Sequence, residues 1–506
     1  MQFTLAEAVR SAAAAHGRAT CLVDDEQTLT FEDFDGRTSQ VANALVDLGC
    51  SSERVAMLAG TSAAALEIVY GCAKAAATVV PINWRLSPIE IRTVLEDAKP
   101  RVVIVSEAHK EVFDTIPPQA LAGARVLLLE GEFEELVGAA SAVDPERPVA
   151  ETDVAVQLYT SGTTGLPKGV MLTHRGLSYM RRLAEMSSID QNSVMMLTAP
   201  LFHISGMSTF LTCLLQGGKC VMISRIDPGS LMETIETHRV THTGVVPAVI
   251  ETMIAGAELG TADLSSLCHL GYGGAPLSEA VLERAIAVLK CNFMHAYGLT
   301  ESGGTVTMLN PDDHDPGGPR RHLLKSVGRA LPWVELAIVD PESGAALGVG
   351  KLGEIRIRSE MTMAGYWGNP GETANALTPE GWLRTGDAGY LDEDGYLYLS
   401  DRLKDMIISG GENVYPIEVE NVLYQHPDVA VVAVIAAKHE RWGETVRAVV
   451  VRKPNTAADE QGLINFARER LAHYKCPTTV TFVDEMPRSA TGKILKKELR
   501  GQLSRP

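Results

Sequence analysis

Short apolar runs alternate with amphipathic stretches over the first two thirds of the chain. Residues 55–59, 101–105 and 125–129 are apolar runs of buried-strand length, the last two opening on an arginine. Between the first two, residues 64–77 and 87–98 carry helical spacing. The second opens with Ser87 in N-cap position and Pro88 at the first helical position. Strand-like runs recur at 194–198, 220–224, 243–246, 268–271 and 292–296. This alternation predicts α/β layering with largely parallel strands.

Around residue 328 the texture changes. Residues 334–339, 353–358 and 395–399 are short strand candidates broken by Gly, Pro and Asp turns, which predicts a small β-rich subdomain. After residue 402 it changes again, with strand candidates at 429–436, 446–451 and 479–483 and helix candidates at 459–473 and 493–503. The expected fold class is α/β: a large N-terminal domain (1–402) of layered α/β subdomains with a β-rich subdomain at about 328–402, then a small α+β C-terminal domain (403–506). The joint is short and charged, Ser400-Asp401-Arg402-Leu403-Lys404.

Composition narrows the function. A chain of 506 residues exceeds what one core usually serves. The formal net charge of −18 argues against general binding of nucleic acid or anionic membrane, so any polyanionic ligand must be gripped by a few local cations. The eight cysteines are scattered without metal-ligand spacing, and the thirteen histidines form no metal pattern. No stretch approaches a membrane span and the N-terminus lacks a signal-peptide core, so the cytoplasm is the expected compartment.

Five stretches carry candidate chemistry. In Tyr159-Thr160-Ser161-Gly162-Thr163-Thr164-Gly165-Leu166-Pro167-Lys168-Gly169-Val170, glycines, hydroxyls and one lysine make an anion cradle or a flexible turn. The Gly-Lys-Ser/Thr ending of a Walker loop is missing. Gly271-Tyr272-Gly273-Gly274-Ala275-Pro276 would let a flat ligand approach the backbone, or is an ordinary strand-to-helix turn. Ala296-Tyr297-Gly298-Leu299-Thr300-Glu301 offers an aromatic face, a hydroxyl and a carboxylate after a strand, where α/β sheets bind ligands, or it is a turn before a capped helix. Asp387 in Trp382-Leu383-Arg384-Thr385-Gly386-Asp387 is a turn former or an acceptor for a ribose diol. Pro487-Arg488-Ser489-Ala490-Thr491-Gly492-Lys493 presents a lysine before a basic helix, unfavourably placed for the helix dipole.

Together, and with Asp401 to Pro416, these stretches resemble the adenylate-forming superfamily, most closely its fatty-acyl and aryl-acyl CoA ligases. The resemblance covers nearly the whole chain. It implies ATP-dependent activation of a carboxylic acid to an acyl-adenylate with release of pyrophosphate, then transfer to the thiol of coenzyme A with release of AMP. Thr160, Ser161, Gly162, Thr163, Thr164, Gly165 and Lys168 would embrace the β- and γ-phosphates. Glu301 would bind Mg²⁺ and Thr300 would contact the α-phosphate. Tyr297 would stack on adenine opposite Gly273, Gly274 and Ala275, and Asp387 and Arg402 would hold the ribose. Lys493 looks like the adenylation lysine, Lys404 the hinge. Gly410, Gly411, Glu412 and Tyr474 would line the route of CoA.

The resemblance further places His203, Val246, Tyr272 and Gly298 around the acyl group. Segments matching that pocket offer no charged residue for a substrate tail, so a medium- or long-chain fatty acid is expected, with an aryl or cinnamate-like acid as competitor. Other functions compatible with the motifs are an acyl-AMP ligase loading a carrier protein and a nonenzymatic adenylate-binding protein. The expected partners are the small acid, ATP and CoA, with a homodimer left open and no nucleic acid.

Overall fold

The computed structural model describes residues 3–25, 27–161, 167–260, 262–275, 277–402, 405, 407–409, 412–414, 416–439, 443–488 and 494–503. Among these, the strands form four sheets. The largest runs from Arg329–Ala330 through Gly304–Leu309, Asn292–Leu299, His269–Gly273, His242–Val245, Val194–Leu197, Lys219–Met222 and Thr20–Val23 to Thr28–Thr30. Its six central pairing partners, from Asn292–Leu299 to Thr20–Val23, are parallel, and antiparallel strands close both edges.

A second sheet orders Gly365–Tyr366, Pro167–Thr173, Val154–Ser161, Thr78–Pro81, Arg54–Leu58, Val102–Val105 and Arg125–Leu128. One continuous apolar core joins these two sheets through the helices Leu5–His16, Phe31–Asp47, Ala63–Lys74 and Ile204–Gln216. Both sheets read as near-continuous apolar runs because helices cover both faces of their parallel strands. The expected start at Ser87 is present: its side chain caps Pro88–Ala98 in a capping box with Glu90. Helices Leu5–His16 and Phe31–Asp47 were not anticipated, although Thr30 and Asp33 form a second capping box.

A four-stranded antiparallel sheet, Glu335–Val339, Gly353–Arg358, Leu383–Leu391 and Leu397–Arg402, is the β-rich unit. The last sheet pairs 412–414, 407–409, Gly443–Arg452 and Val429–His439, with Thr479–Phe482 added in parallel. It carries its own apolar core with the helices Pro416–Leu423 and Glu460–Arg468. That helix ends earlier than the expected 459–473, and a single 3₁₀ turn follows at His473–Lys475.

One ionic knot fixes the entry to the strand that matters most for the site. Lys74 has no exposed surface, and its ammonium donates to the Asp35 carbonyl at 2.9 Å, Asp35 Oδ1 at 2.6 Å and Ser39 Oγ at 2.8 Å. Asp144 lies 3.3 Å away and is also paired with Arg10. Burial raises the Asp144 carboxyl, but the Arg10 hydrogen bonds, the Glu146 backbone N–H and Lys74 prevail and hold it at about 2. The crossing segment before Val154–Ser161 is thus held by charges that are satisfied where they are buried. Breaking such a group costs about 3–5 kcal/mol.

Buried histidines set the pH response. His174, 2% exposed, accepts from the Leu5 backbone N–H, and burial lowers it to about 4. His242, 6% exposed, stacks on His269 with centroids 4.8 Å apart, and burial first, then that neighbour, lowers it to about 4. Both folded values lie below the ordinary 6.5, so the unfolded chain takes up protons first as pH falls. Their contribution to stability is complete above pH 6.5 and is lost between 6.5 and 4, at roughly 1 kcal/mol per pH unit for each. Melting temperature should therefore drop steeply from pH 7 to pH 5 although the net negative charge shrinks over that range. A flat or rising profile measured by differential scanning calorimetry would contradict this.

Candidate functional site

The strands Val154–Ser161 and Pro167–Thr173 pair antiparallel, Thr160 opposite Lys168 and Ser161 opposite Pro167. The glycine- and hydroxyl-rich stretch is therefore flanked by two locked strands. Gly162, Thr163, Thr164 and Gly165 lie outside the described residues, as do Lys404, Gly410, Gly411 and Lys493. Of Ser161, Arg402 and Glu412 the structure describes the strand backbone.

What locks the strands is Tyr159. Its hydroxyl donates to Asp97 Oδ2 at 2.5 Å and accepts from Gln157 Nε2 at 2.9 Å. Burial, and then the Asp97 carboxylate, push this phenol far above its ordinary range, so it remains a donor. The indole of Trp367 donates to the Asp97 carbonyl, while the Trp367 backbone N–H donates to the Gly169 carbonyl at 2.7 Å.

Three distant segments then meet on one carboxylate. Thr160 Oγ1 and the Tyr366 hydroxyl each donate to Glu301 Oε1 at 3.1 Å. Burial and the Glu301 charge raise the Tyr366 phenol, so it too stays protonated. The turn bearing Thr300 and Glu301 is pinned by Ser302, whose hydroxyl accepts from Leu299 N–H at 2.9 Å and donates to the Gly304 carbonyl at 2.8 Å. Lys168 pairs with Glu372, and its ammonium lies 5.0 Å from the Tyr366 ring centroid. Tyr366 and Glu372 were missed in the sequence. The signal that could have found them is the Gly365-Tyr366-Trp367 cluster ahead of Asn369-Pro370.

The ribose candidate is organised from two strands. Tyr297, at the C-terminal end of a central parallel strand, donates from its hydroxyl to Asp387 Oδ2 at 2.8 Å. Asp387 faces Arg402 across the antiparallel pair. Gly274 has φ +79°, which favours glycine and brings this backbone close to Val246: a Cβ here would lie 3.9 Å from Val246 Cγ1.

Two residues expected at the acyl pocket also have packing roles. Tyr272 is 2% exposed, stacked on His295 at 4.5 Å and bonded through its hydroxyl to His314 at 3.1 Å, within a core on the sheet face shared with Val245. Gly298 is glycine because a Cβ would meet the Gly304 carbonyl oxygen at 1.9 Å. The adjacent face is different. Leu197, Gly244, Gly271 and Met294 form one row across four parallel strands. A Cβ on Gly244 or Gly271 would meet nothing closer than 3.8 Å, the neighbour of Gly244 being Thr209 Oγ1 on the helix Ile204–Gln216. His203 precedes that helix, its ring 4.6 Å from that of Phe202 and its Nε2 buried without a partner among the described residues. Burial, then Arg85, lower it to about 4, so it is neutral at physiological pH. Tyr474 is 41% exposed on its 3₁₀ turn.

Glu301 with its two hydroxyl donors and Tyr297 with its Asp387 partner lie at the C-terminal end of the strand Asn292–Leu299, the end at which α/β sheets bind ligands. The chain matches the AMP-binding enzyme family over residues 9–367 and the AMP-binding enzyme C-terminal domain over 418–493, and it belongs to that family. It is 38% identical over 481 residues to a fatty acid–[acyl-carrier-protein] ligase, ScoC, of Streptomyces coeruleorubidus, covering 94% of this chain and 91% of that one. It is 38% identical over 494 residues to a feruloyl-CoA synthase of an Amycolatopsis species, covering 95% of each. Among solved structures, ATP-bound MatB from Rhodopseudomonas palustris superposes with a TM-score of 0.92 at 28% identity, covering 100% of this chain and 99% of that one. The enzyme is an ATP-using, AMP-forming acid–thiol ligase. Among the described residues, no helix is long and apolar enough to cross a membrane.

Tyr366→Phe removes one of the two donors to Glu301 without removing the ring beside Lys168. The Michaelis constant for magnesium-ATP should rise about tenfold, the equivalent of about 1.5 kcal/mol for one hydrogen bond to a charged group, with an unchanged melting temperature. Steady-state kinetics at saturating acid and thiol check it; an unchanged constant would remove Tyr366 from the nucleotide site.

Proposed function

We propose that this enzyme converts an apolar carboxylic acid to its acyl-adenylate, releasing pyrophosphate, and then to a coenzyme A thioester, releasing AMP. The observation that carries this is the convergence of Thr160, Tyr366 and Lys168 around Glu301. It gathers a cation, hydroxyls and a hard carboxylate oxygen into the arrangement a metal-bound triphosphate needs.

In this mechanism Lys168 and the loop 160–165 hold the β- and γ-phosphates as the leaving group. Thr300 orients the α-phosphate. Tyr297 fixes the Asp387 carboxylate, which with Arg402 positions the ribose, and Tyr297 forms one adenine wall opposite Gly273, Gly274 and Ala275. Glu301 is the group that fits Mg²⁺. Its Oε1 is held by Thr160 and Tyr366, and among the described residues no cluster of three or more metal-ligating side chains competes. When bound, the ion offsets phosphate charge. Lys493 neutralises the attacking carboxylate against the α-phosphate, a contribution of about 3–4 kcal/mol for one preorganised charge. It lies beyond the joint at Lys404, so residues 403–506 act as a mobile domain. Rotation about the joint withdraws Lys493 and brings Gly410, Gly411, Glu412 and Tyr474 to the thiol's path.

For the acid, the floor of Gly244 and Gly271 supports an uncharged substrate tail lying along the sheet, between it and the helix Ile204–Gln216. Neutral His203 suits a gate at the mouth rather than an acid–base role. A medium- or long-chain fatty acid fits this channel and agrees with the acid named for ScoC. A second reading, an aryl acid, is favoured by the flatness of two side-by-side glycines and by the feruloyl-CoA synthase relative. The carrier protein named for ScoC makes a protein-bound pantetheine the alternative acceptor.

Release of AMP and pyrophosphate, dependent on both ATP and CoA, should be measured across straight-chain fatty, cinnamate-type and alicyclic acids. Fatty acids of medium or long chain are expected to give the highest kcat/KM, by about tenfold or more over benzoate. A maximum on cinnamate-type acids would transfer the assignment to the aryl reading. ADP as the product, or no turnover with any acid, would refute the proposal.

A further inference from the structure

Lys168 is the cation expected to meet the triphosphate, yet here it is already engaged. Its ammonium pairs with Oε2 of Glu372, and Asn375 Nδ2 lies 3.4 Å from the other oxygen of that carboxylate. The lysine side chain is 11% exposed and the glutamate 29% exposed. Lys168 lowers the Glu372 carboxyl below its usual range, so this partner is charged at neutral pH.

The two ends of this pair differ in how firmly they are held. Lys168 belongs to a paired strand opposite Thr160 and lies over the Tyr366 ring, whose hydroxyl reaches Glu301. Its position is set by the nucleotide site. Glu372 sits in the first turn of the seven-residue helix Pro370–Ala376, capped by Asn369, and no residue of that helix is buried. The carboxylate can therefore leave the lysine without disturbing a core.

A second consideration is charge. Lys168 stands between two carboxylates, Glu372 directly and Glu301 through Tyr366. A polyphosphate entering here meets a lysine whose charge is spent on Glu372. A carboxylate left within reach of the β,γ-phosphates repels them.

We infer that Glu372 is a counter-ion latch for Lys168: it holds the lysine before nucleotide binds, yields it to the β,γ-phosphates, and competes to recover it when pyrophosphate leaves. This rests on the ligase reading, since it needs a polyphosphate at Lys168. The latch weakens binding of ATP and of pyrophosphate alike. In return it keeps Lys168 fixed in the empty site and speeds loss of the first product, which otherwise would reverse adenylation.

The test uses the full chain and two probes, ATP and inorganic pyrophosphate, each titrated calorimetrically with magnesium and without acid or thiol. Glu372→Gln keeps the shape and the Asn375 contact but removes the charge. It should tighten the dissociation constant of both probes by about five- to tenfold. In a Lys168→Ala background the same substitution should change neither constant by more than about twofold, because the latch acts only through that lysine. Glu372→Asp should fall between wild type and Glu372→Gln, with all variants melting within a few degrees of wild type.

Unchanged or weaker binding in Glu372→Gln would overturn the latch, as would equal tightening in the Lys168→Ala background, which would mean a general charge effect. If wild type bound neither probe, the ligase reading would fall and the latch with it. Binding by wild type with no response to Glu372→Gln would overturn the latch alone.

Discussion

An adenylating enzyme must press a carboxylate against an anionic phosphate, and this one does so inside a chain of net charge −18. Like charges a few ångströms apart in a partly dry site repel by several kcal/mol. The structure meets that constraint locally. Lys168 is fixed by a paired strand, and Glu301 is held by Thr160 and Tyr366. Rigidity serves the same end, because charges that are already oriented need no reorganisation when the reaction occurs.

That rigidity can be followed outward from the loop. Tyr159 is tied to Asp97 on the helix Pro88–Ala98, and Trp367 joins Asp97 to Gly169. The strand bearing Tyr159 is entered through a crossing segment anchored by Lys74, Asp144 and Arg10. Each of these charges or hydroxyls has its partner.

Much of this was legible beforehand. The parallel strands announced themselves as aliphatic runs, and the start at Ser87-Pro88 followed from capping chemistry. The Tyr159 loop, Glu301 and Asp387 stood out as candidate residues, and the resemblance implied their phosphate, metal and ribose roles. Pairings were not visible. Thr160 and Glu301 are 141 positions apart, and Lys168 and Glu372 are 204 apart. Periodicity says which face of an element is apolar but not which other element it meets, so Tyr366 and Glu372 escaped notice. The same holds for Tyr272: alternation puts it on the face opposite Gly271, and only the sheet's packing shows that its face meets a core.

The most direct measurement is exchange of radiolabelled pyrophosphate into ATP, with acid and magnesium present and thiol absent. Exchange reports reversible adenylate formation and nothing later in the cycle. The account predicts exchange that requires the carboxylic acid and that falls by at least about a hundredfold in Lys493→Ala, the loss expected for one preorganised charge. Exchange that proceeds without acid, or that survives undiminished in Lys493→Ala, would contradict it.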